Sequence, residues 1–136
     1  MATDWKSQLI SSLRPAVAAV ADAAQRTQAL EGAYSQLVDA VGSAVGEIAD
    51  AAGLGVSVWG AKNDGRVRWI FAGRQLAVYL DRGAGRCVIT CDLGRELKMQ
   101  DLSPTDGVGL IDSDGRPQVL EEVCERFVTL LFRAPG

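Results

Sequence analysis

Five side chains near the middle of the chain have the types that bind other molecules: Trp59, Arg66, Arg68, Tyr79 and Arg86. Flat rings stack on bases or fill apolar pockets, and guanidinium groups grip phosphates and carboxylates through a planar fork. Protein interfaces are enriched in the same three residue types, which carry much of their binding energy. These residues are therefore the expected partner-binding set. The chemistry they offer is recognition, not bond making.

Reactive chemistry is sparsely provided. The chain contains no histidine, which removes every Ser–His, Cys–His and His–metal arrangement at once. Carboxylate, lysine and magnesium chemistry stay open. Asp101, Asp106, Asp112 and Asp114 are the acids that a small carboxylate-based enzyme or ligand sensor would use. Asp112-Ser113-Asp114-Gly115 starts like a calcium loop, but the position that should supply a bidentate Glu is Val123, so the stretch reads as a turn. The glycines near 53–55, 83–85 and 107–109 lack the strand–loop–helix order of a phosphate cradle. No catalytic residue, metal ligand or cofactor is expected.

The binding set must be positioned by residues 54–92. Four runs rich in β-branched and aromatic residues are separated there by short glycine-containing turns, the pattern of a four-stranded antiparallel meander over about 55–92. Alternation sorts the runs into two faces. Val56, Val58, Val67, Trp69, Phe71, Leu76, Val78, Leu80, Cys87, Ile89 and Cys91 form an uncharged face, the expected core. Ser57, Trp59, Arg66, Arg68, Ile70, Ala77, Tyr79, Arg86, Val88 and Thr90 form the other. Asn63-Asp64-Gly65 fits a hairpin loop with Gly65 left-handed, and Gly73-Arg74 fits a two-residue primed turn.

Around the meander lie helices. Residues of about 4–52 keep helical spacing, first through Trp5, Leu9, Ile10 and Leu13, then from Val17 to Ala52. Pro15 either kinks this helix or opens a second one. A continuous helix over 16–52 would be about 55 Å long, against roughly 37 Å for the diameter of a compact domain of this length. Either it breaks near Gly32 or it overhangs and meets a partner, most simply a second copy. Leu30, Tyr34, Leu37, Val41 and Ile48 are the expected dimerisation residues. The small residues of its second half, Gly42 and Gly46 among them, fit close packing on a sheet. After Asp92 the pattern weakens into a long loop, with Val108–Ile111 as the candidate for a short fifth strand. Residues 118–132 form a helix with Leu120, Val123, Cys124, Phe127, Leu130 and Leu131 on one stripe.

The 136 residues thus read as a single α+β domain: a helical arm (1–53), a sheet and long loop (54–117), and a C-terminal helix and tail (118–136). Cys87 and Cys91, about 13 Å apart along one strand, cannot bridge each other. With Cys124 on an apolar helical face they read as reduced core thiols, and the chain as cytoplasmic, with no membrane segment.

Charge is uneven. Residues 61–100 carry eight basic and four acidic groups, between acidic flanks. Either basic strands pair with acidic helices within the molecule, or the patch meets an anionic partner. The expected function is a non-enzymatic interaction protein of the adaptor, chaperone or toxin-immunity kind, a homodimer with a protein partner. The alternative is single-stranded nucleic-acid binding on the Arg/aromatic face, which the sequence pI of about 4.9 disfavours.

Overall fold

The computed structural model describes residues 4–104 and 109–133. Helix α1 (Asp4–Ala52) is followed by strands β1 (Ser57–Ala61), β2 (Arg66–Phe71), β3 (Arg74–Asp81), β4 (Arg86–Asp92), β5 (Leu97–Pro104), β6 (Leu110–Ile111) and β7 (Pro117–Gln118), then helix α2 (Leu120–Arg133). The strands lie side by side in chain order, every neighbour antiparallel. The fold is α+β, with seven strands where four and a candidate fifth were expected. β5 escapes a pattern reading because, of its eight residues, only Leu102 is buried. Two of the expected strand's residues, Ile111 and Leu110, belong to β6; Val108 lies outside the described residues.

Helix α1 does not break. Its 49 residues run without interruption through Pro15 and Gly32, roughly 74 Å at ~1.5 Å per residue. It ends at Gly53, whose φ of +67° is left-handed, and the Leu54 N–H reaches back to the Ala49 carbonyl at 2.8 Å. The turn between β2 and β3 is centred on Ala72-Gly73, one residue earlier than expected. Both residues have positive φ, +52° and +77°, as a primed turn requires.

One layer of core holds the molecule together. The second half of α1 contributes Leu30, Tyr34, Leu37, Val38, Val41 and Val45. α2 contributes Val123, Cys124, Phe127, Val128 and Leu131, and both helices cover the same sheet face. That face is the expected one: Val67, Trp69, Leu76, Val78, Cys87, Ile89 and Cys91 are buried. Val58 shares their parity, through its pairing with Trp69, but stays exposed. Gly42 faces Trp69, and a Cβ there would stand 3.6 Å from the indole, in ordinary van der Waals contact. Phe71 and Phe132 close one end with ring centroids 5.1 Å apart. Among the described residues no polar or charged residue is buried, and no helix is long and apolar enough to cross a membrane.

Candidate interaction surfaces

Strand register builds the first surface. Trp59 pairs with Arg68, Arg68 with Ala77, Ala77 with Thr90 and Thr90 with Met99, so these five side chains form one column on the sheet face away from the helices. Arg66, Tyr79, Val88 and Asp101 form the next column, and Ile70, Gln75, Asp92 and Leu97 flank the first on its other side. All five expected partner-binding residues share this face. Trp59 is 59 % exposed and Met99 58 %, whereas Ala77 and Val88 are buried among their taller neighbours. No helix among the described residues covers it.

The arginines on this face are not equivalent. Arg86 Nη1 donates to Asp101 Oδ2, and Arg86 Nε stands 3.7 Å from Asp81 Oδ2, so its charge is met within the sheet. Arg66 lies over the Tyr79 ring at 6.0 Å. Arg68 makes no ion pair with a described residue. Two other basic residues of the meander reach back to α1: Lys62 Nζ to Asp39 at 3.1 Å and Arg82 to Glu31 at 3.3 Å. Much of the local positive charge is thus neutralised inside the molecule, and the face mixes aromatic, apolar and polar residues with two arginines that pair with no described carboxylate.

The acidic loop does structural work. Asp112 Oδ1 accepts the backbone N–H groups of Asp114 and Arg116, each at 2.9 Å, and Oδ2 accepts from Gln118 Nε2 at 3.0 Å. This is an Asx-type turn closing the β6–β7 hairpin. Asp101 is held by Arg86, and Asp106 lies outside the described residues. Of the four acids, Asp112 is thus engaged by backbone and Gln118, and Asp101 by Arg86.

The second surface is α1 itself. Residues 4–29 are exposed throughout, 26 residues and about 39 Å of helix at ~1.5 Å per residue. Trp5, Leu9, Ile10, Leu13, Val17 and Val20 all lie there, from 50 % exposed at Leu13 to 70 % at Val20. The expected dimerisation residues divide between core and surface. Leu30, Tyr34, Leu37 and Val41 are buried against the chain's own sheet and α2, where a second chain cannot touch them. Ile48 alone is exposed, at the rim of a shallow groove between α1 and α2 that also holds Ala44, Glu121 and Thr129. The apolar surface left without a partner is the first half of the helix, not the second. The signal for it was present in the spacing of Ile10, Leu13, Val17, Val20, Ala24 and Thr27.

Where the arm leaves the body there is a cleft of about 290 Å³, lined by Arg26, Thr27, Leu30, Arg82 and Pro104 among others. Within the core the three thiols are free and buried. Burial pushes Cys87 up to about 12 and Cys91 up to about 11, and raises Cys124 and the Tyr34 phenol as well. None of these is poised as a nucleophile at neutral pH. No family model matches this chain, and neither a curated protein nor a solved structure matches it.

Proposed function

We propose that the chain is a non-enzymatic interaction module that forms a homodimer through residues 4–29 of α1 and offers its open sheet face to a protein partner. One observation carries this reading: 26 consecutive helical residues are exposed yet carry six large apolar side chains. Most helical stability comes from packing an amphipathic face, and a proline in a helix interior costs about 3 kcal/mol. Pro15 sits within this stretch. A second chain supplies that packing and offsets that cost. Because the arm is part of every copy, the simplest occupant is another copy.

The sheet face supports the second half of the proposal. Trp59, Tyr79 and Met99 beside Arg66 and Arg68 have the composition of an interface core rather than of a solvated sheet face. Three unpaired thiols fit a reducing compartment such as the cytoplasm. Single-stranded nucleic acid is the second reading, favoured by the direct cross-strand pairing of Trp59 with Arg68. It predicts salt-sensitive binding that Arg68→Ala and Trp59→Ala weaken. The assembly half is tested by light scattering at micromolar concentration. Twice the 14.4 kDa of one chain is expected, and a strict monomer sinks the proposal.

A further inference from the structure

The exposed half of α1 carries a pattern more specific than apolarity. Positions 6, 10, 13, 17, 20, 24, 27 and 31 advance by alternating steps of four and three, the spacing of a two-helix seam. Its uncharged part, from Ile10 to Thr27, covers about two and a half heptads, and Lys6 and Glu31 extend the spacing at the two ends. Pro15 and Asp22 fall on the opposite side of the helix, where neither a lost hydrogen bond nor a charge disturbs the seam.

The seam reads differently in the two directions. Its ends carry opposite charges, Lys6 and Glu31, and its residues shrink from Ile10 and Leu13 to Ala24 and Thr27. We propose that two copies pair their arms antiparallel about a two-fold axis between residues 18 and 19; this rests on the homodimer reading above. Lys6 then meets the partner's Glu31, Ile10 the partner's Thr27, Leu13 the partner's Ala24, and Val17 the partner's Val20. Every bulky residue of the first half faces a smaller or equal one. Both ends of the seam close on opposite charges. A parallel pair sets Lys6 against Lys6 and Glu31 against Glu31.

The body of the molecule accommodates this register. The Glu31 oxygen Oε1 is held by Arg82, and Oε2 has no hydrogen bond to a described residue, so an ammonium group can join it. Trp5, one residue beyond Lys6, comes to the junction cleft, where Arg26 and Arg82 offer cations to its ring and Leu30 and Pro104 an apolar wall. The pairing thus ends where each partner's sheet begins, and the two sheet bodies lie at opposite ends of a shared helical rod.

Disulfide trapping separates this register from dimerisation itself. Leu13→Cys and Ala24→Cys are purified separately, then mixed and oxidised; the native thiols are buried and give little background. A covalent dimer is expected in the mixture and in neither variant alone, because Leu13 and the partner's Leu13 are about 16 Å apart along the axis at ~1.5 Å per residue. Lys6→Glu is expected to weaken the dimer about tenfold, and Lys6→Glu/Glu31→Lys to restore it. A dimer by light scattering that cross-links through Leu13→Cys alone, or in no combination, overturns the antiparallel register and leaves the homodimer standing. A monomer by light scattering overturns both. Unchanged circular dichroism of the body confirms that each variant folds.

Discussion

Replacing Leu13 by alanine should weaken the dimer about thirtyfold while leaving the fold of each subunit intact. Leu13 is 50 % exposed in the single chain and touches no part of the sheet. Fully burying a leucine side chain is worth about 1.5–3 kcal/mol relative to leaving it exposed. Completing the burial of a half-exposed one contributes about 1 kcal/mol, and two-fold symmetry counts the contact twice. About 2 kcal/mol is about thirtyfold in Kd. Sedimentation equilibrium over a dilution series reads that change directly. The matched control is Leu37→Ala: Leu37 is fully buried between α1, the sheet and α2, and its truncation should cost about 2–5 kcal/mol of subunit stability. The two variants should therefore separate cleanly, one shifting Kd and the other the denaturation midpoint. An unchanged Kd for Leu13→Ala, or a loss of subunit stability as large as that of Leu37→Ala, refutes the reasoning.

Two further perturbations test the body of the molecule. Gly60 has φ +84°, and a Cβ there would collide with the Arg66 carbonyl oxygen; Gly60→Ala should loosen β1 and lower the melting temperature, which calorimetry reads. The buried thiols should make the fold alkali-sensitive. Cys87 and Cys91 ionise near the ordinary value of 9.0 when unfolded but only at about 12 and about 11 when folded. Their contribution to stability is therefore complete below about pH 9 and lost as pH rises toward those values, because the unfolded chain releases protons first. Denaturant midpoints at pH 7, 9 and 10.5 should fall in that order above 9, and a Cys87→Ala/Cys91→Ala variant should flatten the decline.

The core face of the sheet was legible in the sequence because alternation admits one answer once the strands are paired: Trp69, Leu76 and Ile89 could not point outward without exposing the whole apolar set. The outer face was legible for the same reason; the direct pairing of Trp59 with Arg68 emerged only from the register. β5 was not. Leu97 and Met99 point away from the core and Lys98 and Gln100 toward the helices' side, which reverses the pattern a half-buried strand is recognised by. Nor could spacing tell which half of α1 meets the sheet. Its apolar stripe runs from Trp5 to Ile48 with one period. The width of the sheet, not the helix, decides that packing begins at Leu30. Four of the five expected dimerisation residues therefore lie in the half that packs on the sheet, because the same heptad spacing runs through both halves.

Hydrogen exchange of the α1 amides between Ile10 and Thr27 bears most directly on the claim that this half of the helix is held by another chain. Protection should be strong at high protein concentration and fall toward that of an unstructured peptide on dilution below Kd, while amides from Leu37 to Val45 stay protected throughout. Equal protection of the arm at every dilution, or none at any concentration, would contradict it.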